Sequence, residues 1–399
     1  MSRLTIRLLA LALMFWLPAQ ARAETKTLAR CGQGFLEEVD GYRVLHVKGS
    51  PYEMGFQHGA LLKDDIKELV RFLFDVKAKE LKIEVAGMKV QPDAKAIIAI
   101  IARSQRKYVP PRFFEELQGV ADGAGMTVEE ITVANFIPEM FHCSGFAISG
   151  SATKDGTLYH GRILDYGCDW RLQDHAILTV AEPDGKIPFV NVTYSGFIGS
   201  VTGMNAKHVS IGEMGGAGRG HWAGVPMSFL VRMALEEADD LDEAIAIFRD
   251  NPRTCEYYYV IADGKSGKAV GMEAHWNRFN VVRMGEEHPR LPHAVADAVL
   301  LSAGDRYEEL AKRVKAGRGQ FTAESARALM ARPVAMKSNL HSVLFETRST
   351  RMWVANASKD AKPASGQPYH EFVFSELLTH SAADSAPSLP LATSGGAGR

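Results

Sequence analysis

The residues with the clearest chemical potential in this chain are Cys143, Arg162 and Asp165. Cys143 opens the run Cys143-Ser144-Gly145-Phe146-Ala147-Ile148-Ser149-Gly150, in which small and apolar residues alternate. Asp155-Gly156 is a turn signal, and a second run returns from Leu158 to Asp165. Two such runs about an Asp-Gly turn predict a β-hairpin. Its second strand would bring Arg162 and Asp165 back beside the thiol at the start of its first. A guanidinium there favours thiolate over thiol, and a carboxylate can hold a proton-bearing neighbour. The same residue types also suit a small buried core cysteine in an ordinary hairpin with a surface ion pair. The hairpin by itself leaves both readings open.

Other candidates fit structural roles better. His58 would serve as a general base, yet it sits between Gly55 and Gly59, glycines that suit close helix packing around a hydrogen-bonded histidine. Asn205, in Met204-Asn205-Ala206-Lys207, reads as a left-handed turn residue. Gly215-Gly216-Ala217-Gly218-Arg219-Gly220 falls between a strand and a helix, where a phosphate cradle is conceivable. No Lys-Ser/Thr follows and bulky His221 and Trp222 intrude, so a flexible loop over the active site is the better reading. The 13 His show no His-Glu-x-x-His spacing and the 4 Cys match no zinc pattern. No cofactor and no metal are expected.

The elements that must hold the hairpin follow from periodicity. An alternating strand over Tyr42–Val47 leads into Ser50-Pro51 with Glu53 three residues after the serine, a helix start. That helix is amphipathic through Leu61, Leu62, Ile66, Leu69, Val70, Leu73 and Phe74. Further helices are predicted at 94–107, 111–124 and 127–135, the last opened by a capping box of Thr127 and Glu130. The part before Cys143 therefore reads as helical. After the hairpin come strands at 176–181, 189–194 and 209–212, with Pro183-Asp184-Gly185 turning between the first two. Helices at 226–237 and 241–249 precede strands at 257–262, 269–273 and 279–283. Strands at 342–345, 352–355 and 371–374 close the pattern. No internal repeat is evident.

Composition bounds the partners. The first 23 residues read as a signal peptide, with Arg3 and Arg7, an apolar core from Leu8 to Leu17, and Ala21-Arg22-Ala23 as the cleavage site. That predicts export, to the periplasm or as a secreted protein. The apolar run is too short to span a bilayer, so no stable membrane anchor is expected. A formal net charge of -1 gives no pull toward nucleic acid. An oxidising compartment leaves room for a disulfide among Cys31, Cys168 and Cys255. Residues 381–399, rich in Ser, Ala, Pro and Gly, are expected to be disordered.

The Cys143-Ser144-Gly145-Phe146-Ala147 run with His160-Gly161-Arg162-Ile163-Leu164-Asp165 resembles the nucleophile hairpin of self-cleaving N-terminal-nucleophile (Ntn) hydrolases. It is most similar to the penicillin acyltransferase family (peptidase family C45), with acid ceramidase and the choloylglycine hydrolases further off. The stretch from Gly49 to Gly59 also resembles the opening of that family. The resemblance implies an α+β fold, an Ntn-hydrolase αββα four-layer sandwich with a helical N-terminal segment. It further implies a self-inflicted cut between His142 and Cys143. The resulting chains, 24–142 and 143–399, would stay associated, with the hydrolase part proper ending near residue 380. The segment from Tyr194 to Glu213 is similar to acid ceramidase, which implies that Glu213 is an active-site residue. Relatives carry Thr-Asn, whose Asn helps hold an oxyanion, ahead of a helix bearing an Arg. Here Leu291-Pro292-His293 and Arg306 occupy those places, and a neutral His can still donate one N–H.

Together these imply an autoproteolytic cysteine hydrolase or acyltransferase. It would act on the amide bond of a small-molecule N-acyl substrate through a thioester. Two rivals stand beside it: a catalytically degenerate exported binding protein of the same fold, and a Cys-His peptidase using His58 or His142.

Overall fold

The computed structural model describes residues 24–80, 83–85, 88–90, 93–137, 143–217 and 220–390. The expected signal peptide, His142 on the amino side of the expected cut, and Gly218 and Arg219 of the glycine-rich loop lie outside the described residues.

Before the hairpin, the chain lays down β1 (Thr25–Cys31), β2 (Gly34–Val39) and β3 (Tyr42–Gly49), and a separate pair, β4 (Ile83–Val85) and β5 (Met88–Val90). The hairpin is β6 (Ser144–Gly150) and β7 (Gly156–Leu164). Then follow β8 (Ala176–Pro183), β9 (Phe189–Tyr194), β10 (Thr202–Asn205), β11 (Val209–Gly215), β12 (Glu256–Asp263), β13 (Lys268–His275) and β14 (Phe279–Arg283). The last strands are β15 (Ala298–Leu301), β16 (His341–Glu346), β17 (Arg351–Asn356) and β18 (His370–Val373).

They assemble into a ten-stranded sheet, β1-β2-β3-β8-β9-β10-β11-β12-β13-β14, and a six-stranded sheet, β15-β6-β7-β16-β17-β18. Val44, Leu178, Val190 and Met204 of the large sheet pack against Val343, Phe345, Val354 and Phe372 of the small one. Helices 51–61, 111–124 and 227–237 cover the outer face of the large sheet, and helices 305–317 and 323–328 that of the small sheet. Each sheet is thus apolar on both faces, and the four-layer αββα sandwich follows. Among the described residues no helix is long and apolar enough to cross a membrane.

Both predicted capping boxes form: Ser50 with Glu53, and Thr127 with Glu130. The glycines around His58 serve close approach, as their spacing predicts. A Cβ on Gly55 would lie 2.0 Å from the carbonyl oxygen of Glu116, and one on Gly59 2.3 Å from that of Val120. His58 is buried, and its Nε2 accepts the Gly196 N–H at 2.9 Å. Burial, helped by the charge of Arg232, lowers its pKa to about 4, so it stays neutral as a structural acceptor.

Three expectations change, and the open question of a disulfide is answered. The front is not all helical, because β1 and β2 precede β3 and extend the large sheet. Their Thr-Leu-Ala-Arg and Phe-Leu-Glu-Glu runs alternate too weakly to be read as strands. Asn205 does not take the left-handed conformation; His208 does, with φ 65°. The Asn205 side chain instead accepts from Lys207 N and Val209 N and donates to the carbonyls of Leu235 and Ala238. Residues 381–390 lie along β1, where Arg30 donates to Pro387 O at 2.9 Å and Leu389 to Arg30 O at 2.8 Å; 391–399 are outside the described residues. None of the four cysteines is in a disulfide, so no pair forms among Cys31, Cys168 and Cys255.

Candidate active site

The hairpin has the predicted turn, with Gly156 at φ 82° and the Asp155 carboxylate accepting from Thr157 N at 3.1 Å. Gly145 lies opposite Arg162 and Ser144 opposite Ile163. Because side chains alternate along a strand, the hairpin has two unlike faces. Cys143, Ala147 and Leu164 point into the core between the sheets, whereas Phe146, Ile148 and Ile163 face the outer helices.

On the inner face, Arg162 reaches across to β11. Its Nη2 lies 3.4 Å from Glu213 Oε2, and both side chains are fully buried. The ion pair therefore joins the two sheets next to the thiol strand. Its guanidinium also donates to the carbonyl of Ile163. Two imidazoles stand near it and are kept neutral. Burial and then the Arg162 charge drive the pKa of His160 down to about 3, and that of His341 well below its usual value. His160 Nδ1 is 2.7 Å from Ser210 Oγ, and His341 sits between the Tyr194 hydroxyl at 3.0 Å and Thr202 Oγ1 at 2.9 Å.

On the outer face, Asp165 is buried just past the end of β7. Its Oδ2 accepts from Arg306 Nη2 at 2.8 Å and its Oδ1 from Met336 N at 3.0 Å. Arg306 also donates to Ser144 Oγ, which lies 2.7 Å from Ser302 Oγ. Burial raises the Asp165 pKa to about 6, with Arg306 pulling the other way. The structure thus pairs Arg162 with Glu213 and Asp165 with Arg306. It does not form the surface ion pair within the hairpin that the sequence allows.

Cys143 lines a cavity of about 400 Å³. Met214, Met272, Val282, Leu291 and Leu301 give it an apolar wall. Glu256, Tyr258, Glu273 and Arg290 supply a polar side: Arg290 Nη1 is 3.1 Å from Glu273 Oε1, and its Nη2 donates to the Tyr258 hydroxyl at 2.6 Å. Gly215, Gly216 and Ala217 of the glycine-rich loop border the same space.

The structure brings Cys143, Arg162, Asp165, Glu213 and Arg306 together but not His293. The His293 ring is a third exposed, with Nε2 2.5 Å from Glu308 Oε2, and it stacks on Tyr307 at 5.7 Å. Its backbone N–H donates to the Tyr307 hydroxyl at 3.0 Å. Leu291, two residues earlier, is the one that borders the cavity. The loop spends its inward position on an apolar side chain, and the expected oxyanion donor is turned to the surface. Sequence reading also missed Ser302, His341 and Arg290. Each lies far along the chain from Cys143 and belongs to no local motif.

The sandwich sets the Cys143 thiol at the head of a strand of its inner layer. Residues 151–290 match the family model of acyl-coenzyme A:6-aminopenicillanic acid acyl-transferase. The chain is 29% identical over 277 residues to protein dcd1A of Dictyostelium discoideum, covering 63% of this chain and 62% of that protein. It is 23% identical over 199 residues to an N-acylethanolamine-hydrolyzing acid amidase of Cavia porcellus, covering 47% of this chain and 54% of that one. The chain thus spans less than two thirds of the length of these curated relatives. A solved Caenorhabditis elegans ortholog of that amidase superposes with a TM-score of 0.41 at 19% identity, over 52% of this chain and 93% of the other.

Proposed function

We infer that this chain is a cysteine amide hydrolase or acyltransferase that matures by cutting itself before Cys143. The observation that carries the reading is a thiol lining a largely apolar cavity, flanked by a buried ion pair on one hairpin face and a part-buried one on the other. The relatives' family of amidases and acyltransferases supports the same chemistry.

In maturation, Cys143 Sγ attacks the His142 carbonyl carbon, the amide nitrogen leaves as an amine, and water hydrolyses the thioester. This frees the Cys143 α-amino group, whose ordinary pKa of about 7.7–8.0 suits a general base near neutrality. One residue then supplies nucleophile and base, so no separate histidine is required. In turnover, the thiol passes its proton through that amine to the departing substrate nitrogen while Sγ takes the acyl group. Water, or a second amine, then releases it. Asp165, held by Arg306, orients the α-amino group; Arg162 and Glu213 fix the strand and the local field. The apolar wall takes the acyl chain, and the Arg290 side meets the polar amine part. An N-acylethanolamine or another fatty N-acyl amide fits that division.

Intact mass of the exported protein should show two pieces, 24–142 and 143–399. Cys143→Ala should remain uncut and inactive, while Cys168→Ala and Cys255→Ala still process. A single uncut chain that hydrolyses amides would remove the proposal. Screening penicillins, acyl-homoserine lactones, N-acylethanolamines, ceramides and bile amides would then name the substrate.

A further inference from the structure

Far from the thiol, at the β1 side of the large sheet, three metal-ligating side chains converge. Glu37 on β2 and His46 on β3 are buried, and His380 comes from the segment just past the short helix at 374–377. Their donor atoms all lie within 4.8 Å of one another. Glu37 Oε1 is the common point, 2.9 Å from His46 Nε2 and 2.7 Å from His380 Nδ1. Glu37 and His380 are 343 positions apart. This is why no ligand spacing announces the set in the sequence.

We propose that Glu37, His46 and His380 form a binding site for one divalent transition-metal ion, Zn²⁺ being the best match, which clamps the C-terminal segment to the sheet. Two imidazoles and one carboxylate suit borderline cations such as Zn²⁺, whereas Mg²⁺ and Ca²⁺ prefer all-oxygen sets. Three protein ligands leave a fourth tetrahedral position for water, and the partly exposed His380 marks the side from which it enters. The ligands are also prepared for it. Phe35 stacks flat on the His46 ring at 4.1 Å and fixes its orientation. The Glu37 carboxylate already gathers both imidazoles by hydrogen bonds. A buried carboxylate facing two imidazoles is an arrangement that a cation completes.

The clamp has a mechanical meaning in this fold. His380 is followed directly by the stretch lying along β1, where Ala383 N donates to Thr27 Oγ1 at 3.1 Å and the strand-like contacts of Arg30 continue. A metal at His380 would fix the near end of that stretch.

The test uses the purified full chain, stripped with a chelator and titrated with ZnCl₂ against a chromogenic competitor, then with CoCl₂ for its visible spectrum. One equivalent of Zn²⁺ is expected, together with a Co²⁺ spectrum of low coordination number. In His380→Ala the affinity should fall at least about tenfold to a hundredfold and the Co²⁺ bands should vanish. Zn²⁺ should slow carboxypeptidase trimming of the C-terminal segment in the wild type and not in His380→Ala. His380 lies at the chain's periphery, so this variant keeps the fold; His46→Ala provides the second ligand deletion. Less than about a tenth of an equivalent bound would leave the trio as a hydrogen-bonded latch and overturn the proposal. Unchanged stoichiometry and spectrum in His380→Ala would place the metal elsewhere and overturn it equally.

Discussion

The two faces of the Cys143 hairpin carry ion pairs of opposite character. On the inner face, Arg162 and Glu213 meet between two sheets with no exposure, and the neighbouring histidines are held neutral. On the outer face, the Arg306 side chain keeps 15% of its surface in contact with solvent, and its partner Asp165 has a pKa raised to about 6. The inner pair is sealed from solvent, while the outer one contains a carboxyl that titrates near pH 6. A nucleophile strand set between them gains rigidity from one side and proton control from the other.

The inner pair should produce the largest loss when broken. Arg162→Met leaves the buried Glu213 carboxyl without its cation in the sandwich, a defect typically worth about 3–5 kcal/mol. We expect urea unfolding of the uncut Cys143→Ala protein to show a loss of that size when Arg162→Met is added. Replacing both partners, Arg162→Met with Glu213→Leu, should recover much of it, because two apolar side chains leave no buried charge. If the single change costs under about 1 kcal/mol, the inner pair is not the lock that the comparison requires.

The outer pair should show itself through pH. Asp165 has a folded pKa near 6 and an ordinary unfolded one near 3.9, so the folded protein binds more protons between those values. Its contribution favours the folded state below about pH 4 and is lost as pH rises through about 6. The total change across this window is on the order of 3 kcal/mol. Urea midpoints of uncut Cys143→Ala at pH 4, 5, 6 and 7 should fall across this window, and adding Asp165→Asn should flatten that fall. An unchanged slope in the Asn variant would assign the titration to another group and erase the contrast between the faces.

Much of this arrangement was legible in the sequence, and the limits are instructive. The hairpin, both capping boxes and the glycine-lined helix crossing are local, fixed by residues within a few positions of one another. Arg162 and Asp165 were legible from the hairpin itself, and Glu213 and Arg306 through resemblance, but their partners were not. Which cation meets which anion depends on the alternation of faces and on how two sheets stack, and no short pattern encodes that. The β1–β2 pair and the stretch from Ser381 to Pro390 failed for a related reason. Their composition is weakly apolar, and they are ordered by pairing with neighbours already in place. His341 and Ser302 were missed because each acquires its role only after a long-range strand or loop docks beside the hairpin.

The smallest expected effect concerns His293, the position where sequence similarity and geometry part. Were it an oxyanion donor, its removal would cost about a hundred- to a thousandfold in turnover. The structure instead gives it a half-exposed pairing with Glu308 and a stack on Tyr307, outside the wall that holds Cys143. An ion pair so placed contributes about 0–1 kcal/mol, and truncating the ring leaves the backbone N–H free to keep its bond to the Tyr307 hydroxyl. We therefore expect His293→Ala to cut itself normally, to turn over substrate within a few-fold of the wild type, and to lose under about 1 kcal/mol of stability. Tyr307 is the more sensitive neighbour because it both carries this loop and borders the cavity, so Tyr307→Phe should perturb KM more than His293→Ala does. A hundredfold loss of turnover in His293→Ala, with folding and self-cleavage intact, would mean that the loop swings inward during the reaction. The charge-bearing groups around the thiol would then include one that the resting structure holds at the surface.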